Sequence, residues 1–135
     1  MVFSRTGENY DVGVIEKGNT MIVAEDIQEY LGADLFEIVP EVPYPDAYDE
    51  MTALAQQEQA DDARPAILDN IESIDSYDTI FLGYPIWWGN IPNIVLTFLE
   101  SQDFSGKTIY PFVRMVVQVY LVHLVHFKIC YRILP

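Results

Sequence analysis

Met21, Ile22, Ala24, Ile27 and Leu31 recur near the period of a helix, which predicts a helix that opens at Asn19 or Thr20 and stops at Gly32. Before it, the apolar "MVFS" runs straight into the polar "RTGENYDVG" and predicts the clipped end of a strand followed by a loop. "DLFEIVP" alternates Leu35, Glu37 and Val39 against Phe36 and Ile38, a second strand closed by Pro40. "PDAYDEMTALAQQEQADDA" predicts a helix whose exposed face is mostly polar. The unbroken run Thr79-Ile80-Phe81-Leu82, bounded by turn residues, suits a central strand buried on both faces. "IPNIVLTFLESQ", with Pro92 near its first turn, predicts a third helix, and "GKTIYPF" a further strand. Strand and helix alternate, so the expected class is α/β: a doubly wound parallel sheet with helices on both faces. In such sheets ligands bind beyond the carboxyl ends of the strands, which directs attention to the loops after strands one and three.

The first of these loops, "SRTGENYDVGVIEKGNT", offers small hydrogen-bonding groups at Ser4, Thr6, Asn19 and Thr20. Gly7 and Gly18 allow close backbone approach, and a helix N-terminus follows with unpaired N–H groups. That chemistry suits a phosphate monoester, although the same residues also describe an ordinary capped loop. Neither the Lys-Ser/Thr pair of a Walker A loop nor the spaced glycines of a dinucleotide fingerprint is present, which removes the usual support for nucleoside triphosphates and NAD. In the second loop, "GYPIWWGN", two adjacent tryptophans are costly to expose unless they flank a flat ligand. The alternative is that one of them plugs the core.

The acids change the picture of partners. All 21 Asp and Glu lie in residues 1–112, opposed there only by Arg5, Lys17, Arg64 and Lys107, for a local net of −17. Such a field repels nucleic acid and anionic lipid and steers basic proteins toward the surface; the same acidity also serves solubility. Cys130 is the single cysteine and cannot pair within the chain, and no basic-then-apolar leader opens the sequence. The expected setting is therefore reducing and cytoplasmic.

Together, "FSRTG" with a later "GNT", then "YDTIFLGYPIWWGNIPNIVLTFLES" and "DFSGKTIYPF" resemble the flavodoxin-like family over about residues 2–112, in the branch whose phosphate loop is interrupted between Thr-Gly and Asn-Thr. The resemblance implies a five-stranded parallel sheet of order 2-1-3-4-5 with non-covalent FMN at its carboxyl edge. It implies that Ser4, Thr6, Asn19 and Thr20 hold the phosphate, assisted by backbone near Arg5 and Gly7, and that Pro85, Ile86, Trp87, Trp88 and Gly89 line the ring. The insertion Glu8–Lys17 departs from compact flavodoxins. The implied role is electron transfer with a basic redox protein or a small-molecule acceptor, with aromatic stacking and acidity holding the potential low. An FMN-dependent NAD(P)H:quinone-type oxidoreductase and a remnant that binds no cofactor are the alternatives. No side chain stands out as a general acid or base, so no catalytic residue is assigned.

Residues 113–135 have no acid and read differently. Permissible codons from Phe112 spell Cys-Thr-His-Gly-Gly-Ser-Gly in a shifted frame, similar to the family's glycine-rich ring loop. The expectation is a flavodoxin-like domain over 1–112 followed by an out-of-frame apolar tail, with the fifth strand and last helix altered or missing. "VVQVYLVHLVHF" is suited to a substitute edge strand. Arg114, Gln118, His123 and His126 interrupt any transmembrane run, and His123 with His126 lacks a third ligand for a metal site.

Overall fold

The computed structural model describes residues 1–10 and 12–114, and the backbone of 119–120. His123, His126, Cys130 and the rest of the apolar stretch beyond Tyr120 lie outside the described residues. The elements run β1 (Gly7–Asn9), β2 (Gly13–Ile15), α1 (Asn19–Leu31), α2 (Tyr48–Ala60), β3 (Thr79–Gly83), α3 (Asn93–Glu100), β4 (Thr108–Arg114) and β5 (Val119–Tyr120).

β3 and β4 pair in parallel, Thr79 opposite Thr108 through Gly83 opposite Phe112. Residues 1–3 lie on the other side of β3: Val2 bridges in parallel to Gly83 and also to Glu37. The Val2 N–H donates to the Phe36 carbonyl, and the Phe3 N–H to that of Gly83. The segments are therefore ordered 36–38, 1–3, 79–83, 108–114 across the sheet. "MVFS" and "DLFEIVP" join it through single bridges rather than as full strands. On the far side β4 meets β5 in antiparallel register, Val113 opposite Tyr120, rather than in the parallel sense of the implied fifth strand. β4 itself continues two residues past Phe112, where the composition changes.

Neighbouring residues on a strand point to opposite faces, and this fills both layers. Val2, Phe81 and Phe112 pack against Met21, Ala24 and Ile27 of α1. Phe3, Leu82 and Val113 turn the other way, into a core with Met51 and Ala55 of α2 and Ile94, Val95, Phe98 and Leu99 of α3. Those four α3 side chains are 0–2 % exposed, each worth about 1.5–3 kcal/mol of burial. α2 and α3 are joined end to start: the buried Asn93 amide donates to the carbonyls of Glu58 and Ala63 at 2.7 and 2.9 Å, satisfying the C-terminus of α2.

The insertion expected as loop is an antiparallel hairpin, β1 with β2, in register Gly7 opposite Ile15. Its anchors lie some forty residues away. The Glu8 carboxylate accepts from the Tyr48 N–H at 2.8 Å and so caps α2, whose own cap residue, Ala47, has no side chain to do it. The Arg5 guanidinium donates to the carbonyls of Glu8, Pro45 and Asp46. Among the described residues no helix is long and apolar enough to cross a membrane, and no cluster of potential metal ligands occurs.

Candidate functional site

The turn after residues 1–3 and the turn after β3 leave the sheet at neighbouring carboxyl ends and converge on a cleft of about 330 Å³. On one side Ser4 sits beneath the start of α1, where its hydroxyl accepts from the Met21 N–H at 3.1 Å. This serves as a cap supplied from 17 residues back, since Gly18, at the cap position, makes no side-chain cap bond. Asn19 and the almost fully buried Thr20 complete that side of the lining. Gly18 is required there: a Cβ would fall 2.0 Å from Ser4 Oγ and 2.7 Å from the Arg5 carbonyl oxygen.

The opposite turn is tight. Trp87 and Asn90 exchange both backbone hydrogen bonds, at 3.0 and 2.9 Å. The residues between them, Trp88 and Gly89, have φ of 50° and 76°, the signature of a type I′ turn. Positive φ is natural for Gly89 and strained for a residue as bulky as Trp88. The surroundings hold it: the Trp88 indole N–H donates to the Thr52 carbonyl at 2.8 Å, and the Gln59 amide to the Trp87 carbonyl at 2.7 Å. The two tryptophans divide the roles foreseen for them. Trp87 is 8 % exposed and meets the rings of Phe3 and Tyr44 edge-on at 5.3 and 5.0 Å, so it plugs the core and offers the cleft only a margin. Trp88 is 55 % exposed and presents its ring.

Of the residues singled out from sequence, Ser4, Arg5, Asn19, Thr20, Pro85, Ile86, Trp87 and Trp88 line this one cleft. Thr6 and Gly7 do not. They face a shallow groove on the other side of the hairpin with Glu8, Glu16 and Asp46, because Gly7, at φ 82°, turns the chain into β1. Gly89 forms the turn without lining the cleft. Arg5 lines it but is committed to three carbonyls; burial pushes its guanidinium below the usual value, opposed by the charges of Asp46 and Glu8.

Three parts of the wall escaped the sequence reading. Tyr48, Met51, Thr52 and Ala55 form one face of α2, and their i, i+3, i+4, i+7 spacing was available as a signal. Asn9 and Tyr10 come from the hairpin and Arg114 from the end of β4; these carried no local pattern. Among the described residues the lining has a consistent electrostatic character: Arg5 and Arg114 are its charged members and no carboxylate lines it, in a chain of net charge −14.

A second cavity, of about 290 Å³, lies toward the amino ends of the strands, between α1 and the sheet, and is mostly apolar. It shares no residue with the cleft.

The family model for flavodoxin matches residues 14–117. The match begins beyond "FSRTG", inside the hairpin that interrupts the loop. A structure from Bacteroides uniformis, described as a candidate flavoprotein, is 34 % identical with a TM-score of 0.68, over 83 % of this chain and 67 % of that one. A similarly described structure from Bacteroides eggerthii is 36 % identical with a TM-score of 0.68, over 83 % of this chain and 66 % of that one. The chain thus spans about two thirds of each, and no curated protein matches it. The extent of the family match, and the identity to both structures, show that this chain belongs to the flavodoxin family.

Proposed function

We propose that the protein binds FMN in the cleft and acts in electron transfer. One observation carries the reading: a cleft whose lining, among the described residues, holds two arginines, a helix N-terminus and no carboxylate, built into a strongly acidic chain and walled by an exposed tryptophan. A concavity whose described lining is basic and polar within an acidic protein is suited to an anion, and the ring of Trp88 is suited to a flat heterocycle. The resemblance to proteins described as candidate flavoproteins supports a flavin as that ligand. Ser4, Asn19, Thr20 and the first N–H groups of α1 would hold the phosphate. Trp88, with Pro85, Ile86 and the margin of Trp87, would hold the ring. FMN, when bound, supplies the electron-transfer chemistry. The chain's own residues bind and orient it, keep water from one ring face and set the local charge.

The test is a pair of titrations, FMN and riboflavin, followed by quenching of flavin fluorescence. Wild-type protein is expected to prefer FMN. Thr20→Val, which keeps the shape of the side chain and removes its hydroxyl, is expected to weaken FMN about tenfold or more and to leave riboflavin unchanged, the scale of a hydrogen bond to a charged group. Absence of flavin binding, or equal affinity of the wild type for the two flavins, would defeat the proposal. Turnover of NADPH with a quinone would place the protein among reductases rather than passive carriers.

A further inference from the structure

The inserted hairpin brings an aromatic side chain to the cleft that no motif announced. Tyr10 lines it while remaining 69 % exposed, and its ring lies 6.0 Å from that of Tyr48, tilted by 41°. Tyr48 opens α2, and Thr52, whose carbonyl receives the Trp88 indole N–H, is four residues further along the same helix. Residues four apart share a helix face one turn from each other, about 6 Å along its axis. Tyr10 and Trp88 are therefore mounted on successive turns of one face of α2, both open to the same concavity. The hairpin is fixed in that position by the Glu8 carboxylate on the Tyr48 N–H and by Arg5 on the carbonyls of Pro45 and Asp46.

We infer that Tyr10 is a ring-binding residue: with Trp88 it forms an aromatic platform along α2 against which the planar part of the flavin packs, so the insertion completes the ring site and leaves the phosphate seat to the start of α1. This rests on the proposed flavin reading and adds to it a residue, an element and a division of labour between ring and phosphate.

The experiment titrates FMN and riboflavin into the full chain and into Tyr10→Ala and Tyr10→Phe, with melting temperature measured for each. Tyr10→Ala is expected to weaken both flavins alike, by about 3- to 10-fold, the range of one aromatic contact, and to leave bound flavin more fluorescent. Tyr10→Phe is expected to match the wild type in both. Should Tyr10→Ala lower the melting temperature, Tyr10→Leu retains apolar cover on Tyr48 without a flat face; weakened flavin binding there supports the inference, and wild-type affinity overturns it. Wild-type affinity in Tyr10→Ala, a loss confined to FMN, or a Tyr10→Phe as weak as the alanine variant each overturns it while the flavin reading stands. A wild-type chain that binds neither flavin overturns both.

Discussion

Gly18 decides whether two chain segments can meet. The hydroxyl of Ser4 reaches the backbone of α1 only because nothing projects from residue 18, where an added Cβ would overlap Ser4 Oγ at 2.0 Å and the Arg5 backbone at 2.7 and 3.0 Å. Two of those three atoms belong to the main chain and cannot rotate away. Gly18→Ala must therefore push α1 from the end of residues 1–3, breaking the Ser4 cap and opening the seat beside Thr20. The expected result is a loss of about 1–3 kcal/mol in urea unfolding, the usual range for overpacking, together with FMN affinity reduced more than riboflavin affinity. A variant with wild-type stability and wild-type FMN preference would show that the close approach is not needed. Trp88 is the opposite case, a bulky residue kept at positive φ by the Thr52 carbonyl and the Trp87–Asn90 pairing. Strain of this kind persists where neighbours over-determine the conformation. Here the arrangement turns a flat ring toward the cleft.

At the scale of elements, α2 exposes much of its surface and yet organises the site, holding the tryptophan turn, the hairpin and the start of α3 at separate points. It also carries an inward carboxylate. Glu58 is partly buried and accepts from the Tyr44 hydroxyl at 3.0 Å; burial raises its carboxyl above the ordinary 4.5, an effect only partly offset by that bond. An acid whose folded value lies above its unfolded one holds its proton more tightly when folded. Its charge therefore costs nothing below pH 4.5 and the full amount above the raised value, so its contribution to stability falls as pH rises through that window. Glu58→Gln keeps an acceptor for Tyr44 and removes the charge. The stability of the variant relative to wild type, from urea unfolding between pH 4.5 and 8, is expected to grow as pH rises; a constant difference would rule the assignment out. Glu37, raised in the same direction by burial, is present in both proteins and cancels. The helices were legible in sequence from their apolar and polar patterning and from the turn residues that bound them. α2 nonetheless begins at Tyr48 rather than Pro45, since its cap is supplied by Glu8 and not by its neighbours. The hairpin was not legible: three residues per strand show no alternation, and its register depends on contacts with residues 45–48. Likewise, sequence brought Ser4, Thr20 and Trp88 to one cleft through strand–loop–helix order, but Tyr10 and Arg114 enter it only through tertiary packing.

For the molecule as a whole, charge acts at two ranges, and salt separates them. The acids lie in residues 1–112, whereas the charged residues that line the cleft, among those described, are Arg5 and Arg114. An anionic ligand is repelled by the body from a distance and attracted by the lining once inside. The Debye length shortens from about 30 Å at 0.01 M salt to about 8 Å at 0.15 M. That change removes much of the long-range repulsion and leaves closely held pairs less affected, because partly buried charges are screened less than exposed ones. FMN affinity is therefore expected to hold or rise over this range, with riboflavin, which lacks the phosphate, serving as a flat reference. If the proposed electron transfer runs to a basic protein partner, it should move the other way, because the same exposed acids that repel FMN would steer such a partner; the bimolecular rate is then expected to fall steeply as salt increases. Fluorescence titration and stopped-flow reduction on one preparation read both quantities. A steep fall of FMN affinity with salt would mean that the arginines govern binding through exposed, screened contacts, and an electron-transfer rate indifferent to salt would mean that the acidic surface serves solubility rather than recognition.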